Sequence, residues 1–387
     1  MKPTSIVSVA TGQADAALRD AWIVGIVGAG VMGAGIAQVA LEAGHEVVLH
    51  DVDGVALARG RHRITDGLAR RAARRQPDLA TIDDWVDARL ARLRQTDVLE
   101  HLGDEADIVI EAALESLQLK EMIFRTLDSV APVATILATN TSALSIAEIA
   151  AATGSPDRIV GLHFFNPAPL MALVEVVAGP ATDPDAAAAA ASLVTGWGKT
   201  AVRSADSPGF IVNRINRPYT LGALRLLEAR TATIEAIDEA LRDAGFPLGP
   251  FELMDLTGID VTYAASTAIW ERLGRPDRLR PSPIQAELVA AGRLGRKTGE
   301  GFYHYVDGRR VASAVAPLSA RATTNDVAPA PSIRDEILGA ILGAIDAEAR
   351  LAAAEGVASE ADIDLALRLG ANHPAGPFER MRRARTP

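Results

Sequence analysis

The chain has 387 residues, 49% of them hydrophobic, so it is long enough for two or three domains with separate cores. Its 39 Lys and Arg face 49 Asp and Glu, and the net charge of −10 argues against general nucleic-acid binding, which needs a basic face. The sequence has no cysteine, which excludes disulfides, thiol nucleophiles and cysteine metal sites.

No stretch of the sequence suggests a membrane span or an export signal. No run approaches the roughly 18 apolar residues that a membrane span needs. Residues 1–20 have neither a basic opening nor a sustained apolar core. We therefore expect a soluble, cytoplasmic protein, and we predict neither a membrane partner nor a metal site.

Short β-rich runs alternate with longer helical patterns through the first half of the chain. The runs are 22–27, 46–50, 107–111, 133–138 and 158–163, followed by 171–177 and 200–205. Strands that alternate with helices usually pair in parallel within one sheet. We therefore predict an α/β domain with a doubly wound sheet over residues 20–206.

A glycine-rich turn follows the first predicted strand and opens the first helix. Gly28, Gly30 and Gly33 form G-x-G-x-x-G, in which the glycines allow a tight turn, close approach of a pyrophosphate and tight helix packing. Asp51 ends the next strand, at about the spacing of the acid that binds the ribose hydroxyls and repels a 2′-phosphate. The pattern predicts a Rossmann-like domain that binds NAD rather than NADP. Asp53 could replace Asp51 in this role, and an ordinary glycine-rich turn is the alternative for the whole motif.

A histidine and a glutamate interrupt the otherwise apolar stretch "GLHFFNPAPLMALVEVV", residues 161–177. Its proline-rich centre predicts two antiparallel strands about a midpoint near Pro169, which would set His163 opposite Glu175. A neutral imidazole can take a proton from a hydroxyl, and a carboxylate behind it fixes the tautomer and stabilises the imidazolium. The alternative is a core histidine beside a chance surface glutamate.

From Ser207 onward the pattern is helical. Ser207 and Pro208 open a long helical run that Pro218 should kink, and we expect no further strands. Residues 207–306 therefore predict an all-α domain. Residues 307–332, rich in Ala, Pro, Ser and Thr, predict a linker.

The C-terminal segment repeats part of this helical domain. The motif "IDEALRDAGFPLGPFE" (237–252) recurs with one inserted residue as "IDLALRLGANHPAGPFE" (363–379), so residues 333–387 predict a truncated second all-α repeat. A segment of this size with little core of its own should be marginally stable alone. We expect it to dock on the helical domain of its own chain or of a partner, as a structural supplement without catalytic residues.

Several motifs, taken in order and spacing, are similar to those of one enzyme family. They are "GAGVMGAGIAQVA", "EAALESLQLK", "ATNTSAL", "GLHFFNPAPLMALVEVV", "SPGFIVNRI", "GPFELMDLTGID" and "LGRKTGEGFYHY". Over residues 22–306 the chain resembles the L-3-hydroxyacyl-CoA dehydrogenases. It looks closest to the bacterial 3-hydroxybutyryl-CoA dehydrogenases of fatty acid metabolism and β-oxidation and the 3-hydroxyadipyl-CoA dehydrogenases of phenylacetate catabolism.

This resemblance implies NAD-dependent, reversible oxidation of an L-3-hydroxyacyl-CoA to the 3-ketoacyl-CoA, in a homodimer. It implies that His163 is the general base and that Glu175 orients it. Ser142 in "TNTS" and Asn213 in "GFIVNR" would hold the reacting oxygen or the thioester carbonyl. Without the resemblance, Ser142 could be a turn or helix cap and Asn213 a helix surface residue.

The resemblance also assigns contacts with the cofactor and with coenzyme A. Glu115 and Lys120 correspond to cofactor contacts, although "EAALES" departs from the usual family motif and the alternatives are a helix-start acid and a solvated lysine. The arginine cluster of residues 59–75 suits the phosphates of coenzyme A, with Arg74 and Arg71 as candidate contacts. Gly67 replaces a hydroxyl that is frequent on this helix in the family, and a solvated helix face is the alternative for the cluster.

Two rival functions remain open from the sequence. The first is a dehydrogenase of a free hydroxy acid such as gulonate, which shares the Ser, His, Glu and Asn set. The second is a catalytically idle NAD-binding structural protein, comparable to a lens crystallin derived from this family. The arginine cluster and the repeat favour a CoA substrate, and the presence of all four active-site residues weighs against an idle protein.

Overall fold

This computed structural model of the protein describes residues 22–75, 79–314 and 331–384. The chain forms two compact units, Met1–Asp206 and Ser207–Pro387. They divide at the position where the sequence changes from an alternating to a helical pattern.

The first unit is built on an eight-stranded sheet with the order β3-β2-β1-β4-β5-β6-β7-β8. Its strands are β1 Ile23–Val27, β2 Glu46–His50, β3 Leu93–Thr96, β4 Ile108–Glu111, β5 Ile136–Thr139, β6 Ile159–Phe164, β7 Leu173–Ala178 and β8 Thr200–Ala205. Its helices are α1 Val31–Glu42, α2 Gly54–Arg75, α3 Leu79–Leu90, α4 Leu99–Glu105, α5 Leu117–Val130, α6 Ile146–Ala150 and α7 Pro184–Gly196.

Strands β1 to β6 are parallel, β7 runs antiparallel to β6, and β8 is parallel to β7. The order of the first six strands is that of the doubly wound dinucleotide-binding fold, whose ligand crevice lies where the strand order reverses. Here the reversal falls between β1 and β4, which confirms the predicted Rossmann-like sheet. Strands β4 and β6 are buried along their whole length. Strands buried on both faces have continuous apolar sequences, which is why these two could be predicted.

In its described residues the second unit contains helices and one β-hairpin. Its elements are α8 Val212–Ile215, α9 Arg217–Glu228, α10 Ile234–Asp243, α11 Pro250–Thr257, α12 Ile259–Arg272, α13 Pro283–Ala290, β9 Tyr303–Val306, β10 Arg309–Ala314, α14 Pro331–Ala354, α15 Glu360–Gly370 and α16 Pro377–Arg383. The expectation that strands end at residue 206 is therefore wrong.

The hairpin of β9 and β10 turns on two residues with left-handed backbone conformations, Asp307 at φ 50° and Gly308 at φ 71°. Asp-Gly between two strands is a strong hairpin signal because both positions of the tight turn need a positive φ. Strand β10 occupies the start of the predicted linker 307–332, which corrects that boundary. Residues 315–330 of the linker lie outside the described residues.

The predicted long helix at the start of this unit is two helices rather than one kinked helix. Helix α8 ends at Ile215, Asn216 separates the two, and Pro218 lies in the first turn of α9. Proline is favoured in a first turn because its missing N–H has no helical partner there.

The two copies of the repeated motif have the same local structure. In the first copy the Asp238 carboxylate accepts the backbone N–H groups of Phe251 (2.9 Å) and Glu252 (3.2 Å), which begin α11. It also accepts the Tyr303 hydroxyl at 2.8 Å.

In the second copy the Asp364 carboxylate accepts the N–H groups of Phe378 (2.7 Å) and Glu379 (2.9 Å), which begin α16. Arg382 Nη2 donates to the same carboxylate at 2.9 Å, where the first copy uses a tyrosine. Each aspartate thus satisfies two of the N–H groups that a helix start leaves without helical partners.

The second repeat docks on the first repeat of its own chain. Helix α14 packs along α9 and α10, and both α14 and α15 contact α8. The apolar stripe Ile337, Ile341 and Ile345 of α14 is fully buried, and Ile341 lies against Gly222 of α9. His373, in the loop of the second motif, packs edge-on against Phe246 of the first motif at 4.9 Å between ring centroids.

Burial of His373 makes the stability of the second unit depend on pH. Burial lowers the pKa of His373 to about 3, whereas an unperturbed histidine titrates at 6.5. Between these values the unfolded chain binds a proton that the folded chain does not, so the free energy of unfolding falls as pH decreases below about 6.5. We expect the wild type to lose about 2 kcal/mol more than His373→Gln between about pH 7 and pH 5 in urea unfolding. Equal losses would mean that His373 titrates normally in the folded chain.

Candidate active site

The hairpin of β6 and β7 brings His163 and Glu175 together. The two residues are direct partners in the antiparallel register, as the predicted midpoint near Pro169 requires. His163 Nδ1 lies 2.6 Å from Glu175 Oε2, and the residues are 6% and 0% exposed. Neither residue is on the surface, so the alternative of a chance surface glutamate is wrong. The pair is a buried imidazole with a carboxylate behind it.

A buried lysine holds the tip of this hairpin. Lys199, which precedes β8, donates from Nζ to the carbonyls of Ala168 (2.6 Å) and Met171 (2.8 Å). Its burial lowers the pKa of its ammonium group. Sequence reasoning missed this residue because its partners lie about thirty positions earlier in the chain.

The loop after β5 carries Ser142 to the same edge of the sheet as His163. Asn140 Oδ1 accepts the backbone N–H of Phe164 at 2.8 Å, which ties this loop to the end of β6 next to His163. The Ser142 backbone N–H donates to Glu115 Oε1 at 3.1 Å, and the Thr141 hydroxyl donates to the same oxygen at 2.6 Å. Asn140 was not predicted, although it lies within the quoted motif "ATNTSAL".

Lys120 belongs to a buried cluster at the end of β4. Its Nζ donates to both oxygens of Glu111, at 2.7 and 2.8 Å, and lies 3.4 Å from Glu115 Oε2. The Thr139 hydroxyl donates to Glu111 Oε2 at 2.7 Å. Lys120 is 1% exposed, so the alternative of a solvated lysine is wrong. Sequence reasoning missed Glu111; the signal was a carboxylate that ends an apolar strand, which is costly to bury unless it is paired.

The three glycines of the loop between β1 and α1 differ in the space that is available for a side chain. A Cβ on Gly33 would lie 1.8 Å from the carbonyl oxygen of Gly28, and one on Gly28 would lie 2.7 Å from that of Ala112. A Cβ on Gly30 would meet nothing within 4 Å. The fold itself therefore requires Gly28 and Gly33. Gly30 leaves open space at the N-terminus of α1, where backbone N–H groups and the helix dipole favour a phosphate.

Asp51 follows β2 and contacts this loop. Its Oδ2 accepts the backbone N–H of Ala29 at 2.9 Å, and its Oδ1 accepts that of Asp53 at 3.1 Å. Asp53 accepts the N–H of Val55 at 2.8 Å and so caps the start of α2. Of the two candidate acids, Asp51 is the one in contact with the glycine loop.

Arg71 and Arg74 both lie on α2. Arg71 Nε is 3.2 Å from Glu42 Oε2, and Arg74 is exposed. A Cβ on Gly67 would lie 2.0 Å from Gln38 Oε1, so a larger residue there would require the Gln38 side chain on α1 to move. A cavity of about 520 Å³ beside Arg71 has Glu42, Pro169, Trp197 and Lys199 among its lining residues.

Asn213 lies in α8 of the second unit. The turn before α8 contains two residues with positive φ, Gly209 at 79° and Phe210 at 48°. The neighbouring Arg214 is fully buried.

Comparisons with known proteins agree with this architecture. Residues 23–207 match the NAD-binding domain of 3-hydroxyacyl-CoA dehydrogenase, and residues 209–305 and 337–385 match its C-terminal domain. The chain belongs to the 3-hydroxyacyl-CoA dehydrogenase family. It is 38% identical to the 3-hydroxyadipyl-CoA dehydrogenase of Escherichia coli over 92% of this chain and 89% of that protein.

Two further relatives extend the comparison. The crystal structure of an Escherichia coli 3-hydroxybutyryl-CoA dehydrogenase has a TM-score of 0.81 and 36% identity, and the match covers 94% of this chain and 91% of that chain. The human mitochondrial hydroxyacyl-coenzyme A dehydrogenase is 40% identical over 78% of this chain and 96% of that protein.

As a member of this family, the protein is an NAD-dependent 3-hydroxyacyl-CoA dehydrogenase. The open space at Gly30 fits the pyrophosphate of NAD at the N-terminus of α1. Within the described ranges, no helix is long and apolar enough to cross a membrane. The same part of the chain has no cluster of three or more His, Asp or Glu side chains suited to a metal ion.

Substitutions at two glycines of the loop should separate cofactor binding from folding. We expect Gly30→Ala to melt like the wild type but to bind NADH at least about tenfold more weakly, because the added methyl enters the open space where we expect the pyrophosphate. Gly33→Ala should lower both the melting temperature and NADH affinity, because its methyl meets the Gly28 carbonyl. NADH fluorescence titration and thermal unfolding measure the two effects. Unchanged NADH affinity in Gly30→Ala would place the pyrophosphate elsewhere.

Proposed function

We propose that the protein oxidises L-3-hydroxyacyl-CoA thioesters reversibly to 3-ketoacyl-CoA, with His163 as the general base. The observation that carries this proposal is the 2.6 Å hydrogen bond between His163 Nδ1 and Glu175 Oε2 in a buried hairpin. In an alcohol oxidation the protein's side chains remove the proton of the hydroxyl, and NAD bound to the first unit is the hydride acceptor.

The hydrogen bond to Glu175 determines how His163 acts. With the proton on Nδ1 donated to the carboxylate, Nε2 is the basic nitrogen and takes the proton of the substrate 3-hydroxyl. The buried carboxylate then stabilises the imidazolium that forms. In the reverse direction the imidazolium returns this proton to the 3-keto oxygen.

Ser142 and Asn213 complete the proposed catalytic set. Each is a neutral hydrogen-bonding side chain that holds the reacting oxygen or the thioester carbonyl without competing as a base. The ties of the Ser142 loop to Glu115 and to Phe164 support a fixed position for this serine. We also propose that Glu115 and Lys120 position the cofactor, which their location after β4, at the reversal of strand order, supports.

Arg71 and Arg74 are the proposed contacts for the phosphates of coenzyme A, since guanidinium groups on one helix can pair with phosphate oxygens. For the acyl group we propose short 3-hydroxyacyl chains, either 3-hydroxybutyryl or the ω-carboxylated 3-hydroxyadipyl. The names of the two Escherichia coli relatives that match more than nine-tenths of the chain support both. Comparison of kcat/KM for the two thioesters decides between them.

We propose that the protein is a homodimer joined through the helical unit. The exposed apolar side chains of Leu256 and Val261, on the consecutive helices α11 and α12, support this assignment. Light scattering should give the molar mass of two chains.

Replacement of His163 tests the proposed chemistry. We expect the wild type to oxidise NADH with acetoacetyl-CoA, and we expect His163→Ala to lose roughly 10²- to 10⁴-fold in kcat, the range for loss of a general acid or base. NADH affinity should stay unchanged, and Glu175→Gln should show a smaller loss. His101→Ala, at an exposed histidine of α4 outside the arginine cluster, is the control and should keep wild-type turnover. Turnover with free acetoacetate but not with its CoA thioester would favour a hydroxy-acid dehydrogenase, and turnover with neither would favour an idle protein.

The acid after β2 should determine the cofactor preference. We expect the wild type to prefer NADH to NADPH, because the Asp51 carboxylate accepts hydrogen bonds from ribose hydroxyls and repels a 2′-phosphate. Asp51→Asn should narrow the ratio of the two kcat/KM values while retaining a side-chain oxygen for the Ala29 N–H. Asp53→Asn is the matched comparison and should leave the ratio unchanged. A larger change in Asp53→Asn would transfer the role to that residue.

A further inference from the structure

The segment that carries Asn213 cannot hold its own conformation. Helix α8 has four residues, and a helix of one turn is unstable by itself because its nucleation is unfavourable. The chain enters it through Phe210, a buried non-glycine residue at φ 48°. A left-handed conformation of this kind persists only where surrounding contacts enforce it. The position of Asn213 therefore depends on what packs against α8.

One contact with α8 comes from the second repeat through a buried ion pair. Arg214, the residue after Asn213, donates from Nε to Glu348 Oε1 of α14 at 2.8 Å. Its Nη1 lies 2.6 Å from Glu355 Oε2 and 3.2 Å from the Ser207 hydroxyl. The contact with Ser207 joins Arg214 to the start of the same segment. Arg214 and Glu348 are 0% and 1% exposed, so the loss of either charge would leave the other buried with an incomplete set of partners.

Glu348 is itself fixed in place from two directions. It lies on the buried face of α14, together with Ile345 and Ala349. Its Oε2 accepts Arg278 Nε at 2.6 Å, so two guanidinium groups bind one carboxylate. A carboxylate held in this way has little freedom to move, and it transmits its position to Arg214.

A second contact with the segment lies at its C-terminal end, three residues after Asn213. His373 Nε2 is 2.8 Å from Asn216 Oδ1, the residue between α8 and α9. Burial lowers the pKa of His373 to about 3, so the ring is neutral. In this pair the ring N–H donates to the amide oxygen.

We propose that Glu348 and His373 are positioning residues that hold Asn213 in its working geometry. Arg214 and Asn216 both follow Asn213 within three residues, and the second repeat contacts them from positions 134 and 157 residues further along the chain. The second repeat thus takes part in catalysis through α8 without touching the substrate. This inference rests on the proposed role of Asn213 in holding the substrate.

The test compares Glu348→Gln with a matched variant, Asp346→Asn, in the full chain. Asp346 lies on the same helix and pairs with Arg380 of the second repeat, away from α8. We expect Glu348→Gln to lose about 10- to 100-fold in kcat with acetoacetyl-CoA, since a small misplacement of a positioning group has effects of this size. NADH affinity should remain at the wild-type value, because the NAD-binding domain is the first unit. Asp346→Asn should lower the melting temperature but keep wild-type kcat.

A double-variant cycle with Asn213→Ala separates positioning from general damage. If Glu348 acts through Asn213, adding Glu348→Gln to Asn213→Ala should reduce kcat little further. Losses that multiply would overturn the inference. An impaired Asn213→Ala beside a normal Glu348→Gln would also overturn it and leave the proposed function intact. Wild-type kcat in Asn213→Ala would overturn the role of Asn213 itself and the inference with it.

A second pair of variants keeps the test decisive if Glu348→Gln does not fold. His373→Ala removes the donor to Asn216 and should lower kcat with NADH affinity unchanged. His373→Gln, whose amide N–H can donate to the same oxygen, should recover most of the lost turnover. Equal turnover in His373→Ala and the wild type would show that this contact does not position Asn213.

Discussion

The antiparallel pairing of β7 with β6 is the constraint on which the proposed chemistry depends. Every neighbour pair among β1 to β6 is parallel. Parallel strands bring only residues at their ends together at one edge of the sheet. The reversal lets one hairpin place a histidine and a carboxylate face to face inside the sheet, where both are shielded from water. Lys199 then fixes the hairpin tip through two backbone carbonyls. A change in register of one residue would turn Glu175 to the opposite face of the sheet, because side chains alternate along a strand.

The sequence predicted the parts of the fold that have a local signal. The apolar runs of β4 and β6, the glycine loop and the proline-rich hairpin each reveal their structure within about twenty residues. Strand β3 escaped prediction because only Leu93 of its four residues is buried, so an edge strand of polar sequence has no apolar pattern. The hairpin at Asp307 and Gly308 had a strong turn signal, but it lay within a composition typical of a linker.

The candidate site also shows that the sequence reveals mainly those contacts that have a local signal. His163 and Glu175 were predictable because the hairpin register relates them by symmetry about its midpoint. Glu111 was not predictable, because its role depends on hydrogen bonds from Lys120 and Thr139. These residues follow it by nine and 28 positions and contact it only in the folded protein. The buried state of Lys120 likewise follows from its partner and not from its own neighbours in sequence. Sequence patterns therefore identified the proposed catalytic pair but not the polar cluster of Glu111, Lys120 and Thr139.

The two motif copies differ in the chemistry that completes the buried aspartate. In the first copy a neutral, buried tyrosine hydroxyl donates to Asp238, whereas in the second the donor to Asp364 is Arg382, which is 61% exposed at its side chain. Salt screens an interaction between charges near the surface far more than a hydrogen bond in the interior. The contact that Arg382 adds to Asp364 is therefore more sensitive to ionic strength than the contact that Tyr303 adds to Asp238. Concentrated salt should weaken this exposed contact at α16, whereas the interior pair of Arg214 and Glu348, which holds α8, is screened little.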